Sequence, residues 1–324
     1  MSKVTSTDVS PLVGRLRLIP DTARRFAVGA SAARSFYRLE PELLERLLDA
    51  GLPHVGRGPD RLFDDYDLSN SALHLGRMSV QRRAIRSWAN SLRTNAAAAS
   101  TRYRLTVLAP CPAPGHPGPC RYLFPETPET SETSGDGSAD TPADGSVDGR
   151  AAGTVQRACV RERPDDPLLV LDVVQRGDWP EAGTRVRELV AEHGAADFFM
   201  LPEAVRWDPG FFAATGMSDC GGCAARLVRA AAAHGLDARF SFGVLVAKPY
   251  SIAHCWAEFR TGGGWTPVDP MLMRILTDWG GLDPAQADPC RSPGPVLHRL
   301  ADHVAKLVDH NGIWAPVSLP TERL

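Results

Sequence analysis

Residues 254–270 read HCWAEFRTGGGWTPVDP, two short runs rich in aromatic residues joined by a glycine-rich turn. That pattern predicts an antiparallel hairpin. Alternation along the first run puts His254, Trp256 and Glu258 on one face of a strand and Cys255, Ala257 and Phe259 on the other. Asp269 ends the second run, beside His254. A carboxylate there can fix the imidazole tautomer and leave the second ring nitrogen free to take a proton. Upstream, residues 218–225 read SDCGGCAA, and the stretch after Cys220 is rich in strong helix formers until Gly235 stops it. Ser218 and Asp219 are helix-start residues, so Cys220 opens that helix. There the helix dipole and unpaired N–H groups favour a thiolate and can hold a developing oxyanion. A thiol, an imidazole and a carboxylate in this order are the parts that an activated thiol nucleophile needs.

Four motifs, SDCGGCAA at 218–225, GLDAR at 235–239, HCWAE at 254–258 and WTPVDP at 265–270, follow one another along the chain. Together they resemble the transglutaminase-like superfamily of papain-related cysteine enzymes. The resemblance implies an α+β fold in which a nucleophile helix packs on an antiparallel sheet. It also implies Cys220 as nucleophile, His254 as general base and acid, and Asp269 as the residue that orients the imidazole. The chemistry implied is acyl transfer through a thioester at a peptide, protein or small amide substrate, with hydrolysis by a peptidase or amidase as the main expectation. An amide-forming acyltransferase of bacterial natural-product pathways, or a catalytically inactive scaffold, are the alternatives. The run GVLVAKPYSIAH at 243–254 also resembles a strand of the peptidases that remove leader sequences from lasso peptides. No metal or organic cofactor is called for. Trp207 and Trp256 are expected to line the substrate groove, Trp207 as a second oxyanion donor beside the Cys220 N–H.

Two positions depart from the superfamily pattern. Cys255 stands where alanine is commoner, and strand alternation predicts that it points away from the site. Cys223 turns the helix start into CGGC, which raises a thioredoxin-like redox pair as a rival. That rival needs a strand directly before the pair and leaves His254 and Asp269 without a role. In the superfamily pattern the position of Cys220 relative to Gly235 is the nucleophile's and that of Cys223 a packing residue's, so the resemblance implies Cys220 as the nucleophile.

The remaining chain is read around this centre. At 324 residues, with 43% hydrophobic and 23% charged residues and a net charge of -2, it can bury a sizeable core and has no bias toward nucleic acid or anionic membrane. The first residues lack a signal-peptide pattern, and no long uncharged apolar stretch occurs, so a cytoplasmic protein is expected. Seven cysteines, an odd number without a secretory context, argue against a disulfide framework. The abundance of Ala, Arg, Gly and Pro fits a GC-rich bacterial genome.

Residues 1–100 are expected to form a mostly helical lobe, with helices near Pro41–Gly51 and Ser79–Leu92. Residues 101–180 should form a small β region: the Tyr103 run in a hairpin with 122–124, then runs at 155–160 and 168–174 pairing with it. Its acidic stretch, 125–154, is too poor in large apolar side chains to offset the entropy of ordering. The Pro-rich connection APCPAPGHPGPC (109–120) holds Cys111, His116 and Cys120 but no second pair at zinc-finger spacing, so no metal site is predicted there. Residues 181–324 are assigned to the catalytic domain, opening with a helix at 181–193. A closing helix is expected to carry Leu297, Leu300, Val304, Leu307 and Val308, with His298, His303 and His310 as ordinary polar positions on it or beyond.

Overall fold

A computed structural model describes residues 8–125, 156–160, 166–262, 264–286 and 288–324 of the chain. Its axis is the antiparallel pair Ala238–Leu245 and Tyr250–Thr261, in register from Ile252 opposite Leu245 to Phe259 opposite Ala238. Gly264–Val268 returns along the second of these strands, so the predicted hairpin forms. Leu297–Ala301 extends the sheet on one side, and Leu319–Arg323, Ser100–Val107 and Leu169–Arg176 extend it on the other. Two strands of the 101–180 region, Ser100–Val107 and Leu169–Arg176, therefore share one sheet with strands of the 181–324 region.

Both faces of its central part are covered. Ala257 and Phe259 pack with Cys223, Leu227 and Ala231 of the helix Cys220–Ala233 and with Val186, Leu189 and Val190 of Thr184–His193. Trp256, Leu245 and Ala247 pack on the opposite face against Ile85, Trp88 and Leu92 of Val80–Ala96 and Leu272, Ile275 and Leu276 of Pro270–Asp278. The protein is an α+β fold in which the cysteine-bearing helix lies on an antiparallel sheet. Each apolar side chain fully buried in these layers contributes about 1.5–3 kcal/mol.

The N-terminal helices, including Pro41–Asp49 with Pro41 in its first turn, build a separate cluster from Val13, Leu16, Leu39, Leu44, Leu47 and Leu68. That cluster closes over Phe199, Leu201, Val205 and Met217, the segment that leads into Cys220. Buried Asn70 clamps the same segment at its backbone: Nδ2 donates to the Met200 carbonyl at 3.0 Å and Oδ1 accepts from the Met200 N–H at 2.8 Å. Inside the lobe, Arg24 donates from Nε to Asp67 at 2.7 Å and from its other nitrogens to the carbonyls of Leu16 and Ile19.

Three local expectations change. Ser100–Val107 does not form a hairpin with Arg121–Pro125, because both its edges are taken, by Leu319–Arg323 and by Leu169–Arg176. Arg121–Pro125 instead pairs with Gln156–Val160 and with Asp309–His310 in a second sheet, so the 156–160 strand does not join the Tyr103 strand. The closing helix is absent as well: residues 297–301 are a strand on Ala238–Leu245. Leu297 belongs to the cluster on one face and Leu300 to the cluster on the other. A strand covered on both sides can place apolar residues three apart, which imitates helical spacing. The acidic stretch expected to be disordered, 125–154, lies outside the described residues apart from Pro125.

The Arg24–Asp67 pair has both side chains only 1% exposed, so removing one partner strands a buried charge. Arg24→Ala is expected to lower stability by about 3–5 kcal/mol in urea unfolding. Arg104→Ala, which opens an exposed pair with Asp172, should leave the unfolding midpoint nearly where it was.

Candidate active site

Asp219 stands just before the helix Cys220–Ala233 in a non-helical conformation, and its Oδ1 accepts the Gly222 N–H at 3.1 Å. Cys220 is thereby held at the first helical position, half-buried, where the N–H groups of the opening turn have no acceptor within the helix. The other Asp219 oxygen accepts from Arg206 Nε at 2.5 Å, which ties the helix start to the approach segment. Burial, together with the neighbouring Cys220 sulfur, pushes Asp219 up to about 6 despite Arg206. The two glycines have a steric reason. A Cβ at Gly221 would stand 2.8 Å from the Trp207 ring, and one at Gly222 would stand 2.7 Å from Ser218 Oγ and 2.8 Å from the Arg206 carbonyl. Only glycine lets the 206–207 backbone lie this close to the helix start.

Asp269 uses its two oxygens for two purposes. Oδ1 accepts the Leu272 N–H at 2.8 Å and so caps the helix Pro270–Asp278, while Oδ2 lies 2.7 Å from His254 Nε2. Both residues are buried. With Nε2–H committed to the carboxylate, Nδ1 is the nitrogen left for the neighbouring Cys220 thiol. Burial works against a charged imidazole here, but the Cys220 thiolate, followed by the Asp269 hydrogen bond, outweighs it and pushes His254 up to about 10.

Cys255 is placed differently from the sequence expectation. Strand alternation predicts that it points away from the site, yet its thiol and its backbone N–H lie close enough to the Cys220 sulfur to favour the thiolate there. The reason is the face on which the cysteine helix lies. That helix packs against Ala257 and Phe259, and Cys255, two residues before Ala257 on the strand, shares a cluster with Ala224 and Cys220, so its thiol is turned toward the helix start. The Cys255 thiol, opposed by burial and aided by His254, holds the Cys220 pKa well below the ordinary thiol value. Cys255 itself is driven strongly upward by its bond to Cys220. Cys223, one turn deeper and 2% exposed, is pushed up to about 12 by burial and by the charge of Asp269. Of the two cysteines in the CGGC start, Cys220 is the one whose pKa is lowered.

The two tryptophans part company. Trp207 lies over Gly221 with its ring edge toward Phe240, and borders a cavity of about 300 Å³ along with Arg206, Phe212 and Arg226. Cys220 is not among the residues that line this cavity, which opens on the flank of the helix. Trp256 does not line a groove: it is 1% exposed in the core, and its indole N–H is spent on Glu258 Oε1 at 3.1 Å. Its ring supports the site from below, stacked on His254 at 6.3 Å between centroids. Arg206 and Cys255 were not singled out as part of the site from sequence. Neither has a local signal, since one approaches from a separate loop and the other from the strand face expected to be remote.

A thiolate at a helix start, beside an imidazole oriented by a carboxylate on an antiparallel sheet, defines a class of cysteine-centred sites. Residues 178–270, which contain Cys220, His254 and Asp269, match the Transglutaminase-like superfamily, and the chain carries a transglutaminase-like domain. No curated protein and no solved structure matches the chain. The domain supports a cysteine-dependent enzyme in general terms. Among the described residues, no helix is long and apolar enough to cross a membrane.

The role of Cys255 can be read from alkylation. Iodoacetamide is expected to modify Cys220 ahead of Cys159 and Cys290 at neutral pH and below. In Cys255→Ala and in His254→Ala, the pH at which Cys220 becomes reactive should move upward, because each change removes a group that favours the thiolate. An unchanged pH profile in Cys255→Ala would remove that thiol from the account of the site.

Proposed function

We propose that this protein is a cysteine-dependent hydrolase of a peptide or amide bond that works through a thioester on Cys220. The observation that carries the reading is the His254 Nε2–Asp269 hydrogen bond at 2.7 Å, beside a Cys220 thiol whose pKa His254 helps to lower. The thiolate attacks the substrate carbonyl carbon, forming a C–S bond and placing negative charge on the carbonyl oxygen. The Cys220 backbone N–H, free at the first turn of the helix, is the donor that receives that charge. The imidazolium of His254 then gives its Nδ1 proton to the leaving nitrogen as the C–N bond breaks, which leaves a thioester and a neutral imidazole. Water enters, His254 takes its proton, and collapse of the second tetrahedral species releases the acid and restores the thiolate–imidazolium pair. Asp269 keeps the ring in the productive tautomer throughout. Hydrolysis is favoured over transfer to an amine because water needs no second binding site.

Activity should follow the ion pair. It is expected to rise with pH as Cys220 loses its proton, hold through neutrality, and fall near pH 10 as His254 loses the proton it must donate. A kcat/KM profile that falls instead near pH 7 would contradict a raised His254.

Cys220→Ala and His254→Ala should each lower kcat/KM by about 10⁶-fold, with the double variant no lower than either, because the two act as one unit. The reaction itself is tested by incubating the protein with a panel of amide and thioester substrates, with and without a primary amine, and resolving the products by mass spectrometry. Free acid in both arms supports hydrolysis. A new amide that replaces the acid when amine is present would assign transfer instead.

A further inference from the structure

The Pro-rich connection 109–120 does not end as a bare loop. Cys111, His116 and Cys120 converge on His310, which lies 199 positions beyond Cys111 in sequence, and the four ligand atoms all stand within 4.8 Å of one another. The second sheet makes the meeting possible. Cys120 immediately precedes the strand Arg121–Pro125, and His310 pairs opposite Tyr122 on that strand. His116 Nε2 lies 3.4 Å from Cys120 Sγ, and Cys111 Sγ lies 3.9 Å from the nearer His310 nitrogen, Nε2.

We propose that these four residues form a closed tetrahedral zinc site that is separate from the Cys220 centre. Zinc–sulfur and zinc–nitrogen bonds of about 2.3 and 2.0 Å put the ligand atoms of a tetrahedron roughly 3.3–3.8 Å apart, close to the two contacts above. Two thiolates and two neutral imidazoles balance the charge of the ion, and this soft S2N2 set selects zinc over calcium or magnesium. His116 is already set up as a ligand: its Nδ1 lies 3.1 Å from the Pro117 carbonyl, which takes the N–H and leaves the Nε2 lone pair toward Cys120. His310 is 1% exposed and its buried Nδ1 has no hydrogen-bond partner, so the ring is held in the cluster without a polar network of its own.

Four protein ligands leave no open position, which marks the site as structural. Loading it releases two thiol protons and joins the Pro-rich loop to the strand Asp309–His310. Cys120, Tyr122, Leu307 and Val308 share an apolar cluster with Cys255 and Cys220, so the ion would brace the far side of the core that carries the thiol pair.

The test uses the full chain in a Cys220→Ala background, so that the low-pKa thiolate cannot bind metal. Expression with added zinc, gel filtration and elemental analysis should give one zinc per chain. Cys111→Ser and His310→Ala should each lose it, and Cys290→Ser should keep it. Chain stripped with a chelator and refilled with cobalt should show thiolate-to-cobalt charge transfer and the visible bands of a tetrahedral ion. That measurement needs no variant at the site and holds even if Cys111→Ser fails to fold. A chain that carries no zinc and shows no cobalt bands overturns the proposal, as does zinc retained in both ligand variants.

Discussion

The carboxylate of Asp269 is the constraint on which the centre depends. One oxygen caps a helix and the other holds His254, so a single side chain both ends a strand and orients the imidazole. Proline at the next position suits this, because its missing N–H costs nothing in the first turn of a helix. When the chain turns into that helix, the pairing along Tyr250–Thr261 stops at Ala257. The cysteine helix lies on the sheet face that carries Cys255, Ala257 and Phe259.

The cysteine is positioned from the opposite direction by the N-terminal lobe. Asn70 and the apolar cluster around Leu16 and Leu47 fix the 199–217 segment. Arg206 then carries that fixing to Asp219 at the helix start. Gly221 and Gly222 let the segment approach at van der Waals distance. A lobe remote from the thiol in sequence thus takes part in placing it. In a thiol site this precision matters, because a displacement of about 1 Å can cost about 10²-fold in rate.

Legibility in the sequence tracked how local each signal was. The helix at Cys220 could be read because Asp219 caps it and alanines fill it. The pairing of Tyr250–Thr261 with Gly264–Val268 could be read because its pattern is contiguous. The 297–301 strand was legible only as a helix, because Leu297 and Leu300 enter different cores on opposite faces. Cys255 was misplaced because alternation puts it on the face opposite His254, and that is the face on which the cysteine helix lies. His310 had no pattern linking it to Cys111, His116 and Cys120, since the strand register that joins them spans most of the chain.

By itself the sequence determined the order of thiol, imidazole and carboxylate and the helix that presents the thiol, because caps and helix formers act over a few residues, while the α+β class came from the resemblance its four motifs carry. Tertiary structure decided which side chains surround the sulfur. It brought Cys255 and Arg206 in, turned Trp256 into the core, and gathered four metal-ligating residues from two distant stretches. Those outcomes rest on which sheet face each helix covers and on which strands pair, and that is a property of the assembled fold.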